Sequence, residues 1–110
     1  MDESTVRIPA VAGQFYPASA NSLRKQIKDF LPESAVRKEV IGCVMPHAGY
    51  VYSGRVAVHT VSRAEVKENI ILLGPNHTGL GAPFSLMADG AWQTPLGTVD
   101  IDRDLAKEIL

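Results

Sequence analysis

The sequence predicts an α/β domain with a central, largely parallel sheet and flanking helices. Three observations carry that prediction. Two near-continuous apolar runs, "EVIGCVM" at 39–45 and "NIILLG" at 69–74, are apolar at successive positions. A strand with two apolar faces belongs in a sheet covered on both sides, which is the habit of parallel sheets. Between the runs lies "GRVAVHTVSRAEV" at 54–66, a helical segment. Strand, helix, strand is a βαβ unit, with parallel strands and a right-handed crossover. Finally, each apolar run breaks at a proline followed closely by a histidine and a glycine, in "VMPHAGYVYSG" at 44–54 and "LLGPNHTGLG" at 72–81.

The elements follow in order. "MDEST" is polar and is expected to be mobile. "VRIPAVAGQFYPASA" is too rich in Pro, Gly and Ala for regular structure, and reads as an ordered loop anchored by Val6, Ile8, Phe15 and Tyr16. "SANSLRKQIKDFL" is an amphipathic helix. Leu23, Ile27, Phe30 and Leu31 share a face, Ser19 or Asn21 caps it, and Pro32 ends it. The strand at 40–45 follows. In the helix at 54–66, Ser53 is the expected cap, and Val56, Thr60, Val61 and Ala64 the inward face. After the strand at 69–73, two turn signals, Asp89-Gly90 and Pro95-Leu96-Gly97, separate short strands near 84–88 and 98–101. A last helix begins at Asp102, its N-cap, with Leu105, Ile109 and Leu110 at helical spacing. Its two terminal apolar residues give the expectation that residues 1–110 are part of a longer protein.

Composition excludes several classes. A length of 110 residues suits one small domain, and 45% apolar with 21% charged residues is ordinary for a folded chain. A net charge of −1 gives no electrostatic reason for a nucleic-acid or membrane-surface partner. No apolar run is long enough to cross a bilayer, and no signal peptide is evident. Cys43, the single cysteine, has no partner for an internal disulfide, so a cytoplasmic location is expected.

The two corners converge on one site. Ligands bind beyond the carboxyl ends of strands in open α/β sheets. His47 lies three residues past Val44 and His77 four past Leu73, so both leave the same sheet edge. Adjacent strands stand about 4.8 Å apart, so two imidazoles there can share an ion or a substrate. Pro46 and Pro75 end the strands and restrict the backbone leading to each histidine. One loop histidine is ordinarily structural or solvated, whereas two on equivalent corners point to a site. Tyr50, Tyr52 and Asn76 are the candidate pocket residues. His59 falls mid-helix and Cys43 inside a strand, where packing roles are expected. Arg55 reads as a solvated arginine and Trp92 as a core or pocket-wall residue. Two imidazoles do not complete a catalytic metal site, which ordinarily takes three protein ligands. No acidic residue lies in either corner.

"GQFYP", "PHAGYVYSG", "LGPNHTG" and "WQTPLGTVDID" together resemble the Memo family, whose prokaryotic members are also called AmmeMemoRadiSam system protein B. The motifs run in the family's order from Gly13 to Asp102. Family members are well over twice this length, so the resemblance covers their N-terminal part. It implies a fold like the class III extradiol dioxygenases and a pocket in which two histidines and a late cysteine surround a metal. His47 and His77 match the histidines, while the cysteine position lies beyond Leu110 and is not Cys43. The resemblance also implies iron or copper and redox chemistry. Three functions follow as expectations: a metal-dependent, dioxygenase-like oxidoreductase, a non-catalytic module for a peptide or small anion, and a metal-handling protein. The 110 residues alone are expected to be inactive and to self-associate.

Overall fold

The computed structural model describes residues 5–110, and the polar segment at 1–4 lies outside it. Helix α1, Ala20–Phe30, forms where the apolar spacing placed it. The Ser19 side chain accepts from the Ser22 amide at 3.1 Å, satisfying one of the amides that a helix start leaves free. Asn21 falls inside the helix. Leu23 is buried, Ile27 and Phe30 are half-buried, and Leu31 lies beyond the helix, half-exposed.

A π-helical turn at Tyr50–Gly54 leads into α2, Arg55–Ser62. Ser53 does not cap α2: its hydroxyl donates to the Ala48 carbonyl at 3.2 Å. The turn continues directly into the helix, which leaves no extended residue there to act as a cap. Of the expected inward face, Val56 is exposed, Val61 is partly exposed and Thr60 half-buried, while Val58 is the buried residue of the helix. The helix ends at Ser62, and Ala64 is buried just beyond it.

The sheet is mixed and three-stranded: β1 (Val6–Arg7) pairs parallel with β2 (Ala91–Thr94), which pairs antiparallel with β3 (Gly97–Asp100). Three expectations are corrected here. Val6–Arg7 is a short strand rather than loop, and Val6 and Ile8 are exposed rather than anchoring. The strand expected near 84–88 forms at 91–94 instead. Asp89 and Gly90 precede that strand, and a two-residue turn at Pro95–Leu96 closes the hairpin. Helix α3, Arg103–Ile109, begins on Asp102, whose carboxylate accepts from the Leu105 amide at 3.0 Å.

The runs at 40–45 and 69–73 do not form a ladder. The nearest backbone pairing is a single parallel bridge between the segments that precede them, Lys38 to Ala64, where the Lys38 amide donates to the Arg63 carbonyl and the Lys38 carbonyl accepts from the Glu65 amide. Beyond the bridge their backbones stay unpaired, because no neighbouring strand among the described residues lies alongside. Cys43, expected inside a strand, is exposed for the same reason. Leu23, Val58, Ala64, Ala91 and Ala106 make up the buried apolar core among the described residues.

Candidate functional site

The first histidine corner is held by α1, α2 and the loop before α1. The Tyr50 amide donates to the Phe15 carbonyl at 2.8 Å, tying the corner to the "GQFYP" loop. The Tyr16 and Tyr50 rings stand 5.4 Å apart, tilted by 44°. Burial, and secondarily Tyr16, raises the Tyr50 phenol above its ordinary pKa of 10.0. Tyr50 is therefore a neutral hydrogen-bonding group at physiological pH.

The second corner is organised by one side chain. Asn76 Oδ1 accepts from the Thr78 amide at 3.2 Å, the Thr78 hydroxyl at 3.1 Å and the Gly79 amide at 3.0 Å. Asn76 Nδ2 donates to the Leu80 carbonyl at 2.8 Å. Gly79 and Gly81 adopt positive φ, +70° and +78°, the left-handed conformation that glycine takes without strain. His77 leaves this folded loop toward the first corner.

The two histidines meet. His47 Nε2 and His77 Nε2 are 3.1 Å apart, and the ring centroids are 5.1 Å apart. At that separation one nitrogen carries the proton and the other accepts it. Both imidazoles are exposed. The spacing also fits a shared ion. Two donors on one ion at bonds of about 2.1 Å stand at most about 4.2 Å apart. Among the described residues no group of three or more His, Cys, Asp or Glu gathers here or elsewhere.

A cavity of ≈ 440 Å³ opens beside His47. Its walls are mainly apolar, with Phe15, Ile27, Met45, Val58 and Val61 around Tyr16 and Tyr50. Tyr52 and Asn76 do not line it. Tyr52 is exposed, and the Asn76 amide spends its hydrogen bonds inside its own loop. His59 lies half-buried on α2, where its carbonyl accepts from Ser62 and Arg63. The Arg55 guanidinium lies 5.1 Å from the Phe30 ring centroid. Trp92 is on β2, far along the chain from the corners. Its Nε1–H donates to Met87 Sδ at 3.0 Å, and the Arg7 guanidinium packs on its ring.

Sequence reasoning missed two roles. The "GQFYP" loop is a wall of the cavity, and Asn76 is the organiser of the second corner rather than a wall of the first. The signal for Asn76 was present: Asn at the start of Asn76-His77-Thr78-Gly79 is an Asx-turn residue, whose side chain bonds backbone amides two and three residues on.

These features define a small α/β unit in which two proline-ended corners bring two histidines together, one of them, His47, at the wall of an apolar cavity. Residues 7–110 match the Memo-like protein family, and the chain belongs to it. A MEMO1 family protein of Methanosarcina barkeri is 48% identical over 103 residues, covering 93% of this chain and 38% of the relative. One from Aquifex aeolicus is 46% identical over 108 residues, covering 96% and 40%. One from Methanopyrus kandleri is 46% identical over 117 aligned positions, covering 94% and 41%. The chain thus spans about two-fifths of the length of these relatives. Among the described residues no helix is long and apolar enough to cross a membrane.

Proposed function

We propose that His47 and His77 are two ligands of a redox-metal site, iron or copper, in an extradiol-dioxygenase-like α/β protein of the cytoplasm. The 3.1 Å approach of their Nε2 atoms carries the reading, because it sets two neutral donors within reach of one ion. Imidazole is a ligand for both iron and copper. The ion would supply Lewis-acid and electron-transfer chemistry. The chain's own residues do the rest: Asn76 fixes the loop that presents His77, and Tyr50 offers a neutral phenol at the cavity wall. The remaining ligands come from beyond these 110 residues, so the chain alone binds metal weakly and is catalytically silent.

Titration with Cu(II), read by electron paramagnetic resonance, tests the assignment. Nitrogen coupling from two imidazoles is expected, falling to one in His47→Ala or His77→Ala and unchanged in His59→Ala. A spectrum indifferent to the first two variants would overturn it. The same assignment is expected for Fe(II) under anaerobic conditions.

The ≈ 440 Å³ apolar cavity favours a second reading, a non-catalytic module that seats a small molecule or peptide side chain beside His47. The readings separate on whether ligand occupancy of the cavity requires metal.

A further inference from the structure

We infer that Ser53 is a positioning residue for the metal site proposed above, its hydroxyl fixing the direction from which His47 meets His77. The inference rests on that reading of the two histidines. Ser53 stands where a helix cap is expected, yet its hydroxyl donates to the Ala48 carbonyl at 3.2 Å, in the residue next to His47. Its amide donates to the Gly49 carbonyl at 3.1 Å. One residue thus holds two successive carbonyls of the first corner. Among the described residues, no other side chain bonds the backbone at 44–50.

The two corners are fixed from opposite sides of their histidines. At the second, Asn76 makes four hydrogen bonds within the loop that presents His77. The first has no such residue ahead of its histidine, because Pro46 carries no N–H and no polar side-chain atom. The fixing bonds therefore come from beyond His47. Holding the Ala48 carbonyl sets the peptide plane that follows, since that plane is rigid. The directions open to the Cα–Cβ bond of His47 narrow accordingly.

Ser53 is itself held in place. It is half-buried, in the cavity wall with His47 and Ala48. The next residue, Gly54, is buried. A Cβ there would stand 2.6 Å from Phe30 Cε2 and 3.1 Å from Tyr50 Cβ, so the backbone at Ser53 and Gly54 is wedged against α1. A continuous path of contacts runs from Phe30 on α1 through Gly54 and Ser53 to Ala48 and His47. Thr60 supplies the comparison. Its hydroxyl makes a bond of the same kind, to the Val56 carbonyl at 2.9 Å, but wholly within α2.

Two measurements on the 110-residue chain test this, one without metal and one with zinc. Imidazole nitrogen NMR spectra at about pH 8, where histidine is ordinarily neutral, report the contact between the two Nε2 atoms. Ser53→Ala is expected to move both Nε2 shifts toward those of free imidazole. Its zinc affinity is expected to fall by about three- to tenfold, the worth of one neutral hydrogen bond. Ser53→Thr keeps the hydroxyl and should restore both readouts. Thr60→Val should change neither, which separates positioning from a general loosening of α2. In a His47→Ala background the zinc effect of Ser53→Ala should vanish. Unchanged spectra in Ser53→Ala would overturn the inference, as would equal effects in Thr60→Val or no recovery in Ser53→Thr. If the unsubstituted chain binds no zinc, the metal reading fails, and the spectra alone decide the role of Ser53.

Discussion

Replacing Asn76 by alanine removes four side-chain hydrogen bonds from the loop that carries His77. Each is worth about 0.5–1.5 kcal/mol net, and exposure to water favours the low end. About 2 kcal/mol of loop order is at stake, or about thirtyfold in a local equilibrium at 1.4 kcal/mol per tenfold. The direct assay is exchange of the Gly79 amide, which donates to Asn76 Oδ1. It should accelerate by about that factor in Asn76→Ala. Asn76→Asp keeps the three acceptances and loses the donation to Leu80, so about two- to fivefold is expected. Zinc, a redox-silent probe of the imidazole pair, should bind the alanine variant up to about thirtyfold more weakly, because unfixed ligands are ordered only on binding. Unchanged Gly79 exchange would refute the loop assignment. Looser exchange with unchanged zinc affinity would refute the coupling of loop order to His77.

Other expectations follow from single contacts. A Cβ on Gly54 would stand 2.6 Å from Phe30 Cε2, so Gly54→Ala should force α1 and α2 apart, costing about 1–3 kcal/mol by urea denaturation. Leu23→Ala empties the most buried large apolar site and should cost about 2–4 kcal/mol in the same assay. Asp102→Ala removes the cap of α3 and should cost about 0.5–1 kcal/mol. The Tyr50 phenol ionises at higher pH in the folded chain than unfolded, so stability is fully present below pH 10.0 and falls as pH rises through the raised value. Tyr50→Phe should flatten that alkaline loss, and an identical alkaline profile would show that the ring is not buried against Tyr16.

Local chemistry was legible in the sequence, and long-range pairing was not. Ser19 and Asp102 cap the helices they were assigned, since a cap bonds amides within three residues of itself. Ser53 misled because its hydroxyl had a competing acceptor, the Ala48 carbonyl, in a turn that no helical periodicity announces. The Pro95–Leu96 turn was read correctly, but its first strand was set before Asp89-Gly90 rather than after. Short runs such as "FSLMA" and "AWQT" are equally strand-like, and the partner decides between them. Here the partner is β1, some eighty residues earlier in the chain.

The two histidine corners meet although the runs leading to them form no sheet among the described residues. The runs leading to His47 and His77 are not paired along their length, yet the imidazoles meet at 3.1 Å. Three local devices hold them. The "GQFYP" loop grips Tyr50 through the Phe15 carbonyl, Asn76 folds the second loop upon itself, and the Lys38–Ala64 bridge joins the segments that precede both runs. None of these needs a completed sheet. A strand added beside either run would then lock geometry that the corners already favour, and each histidine would lose less freedom on meeting a ligand.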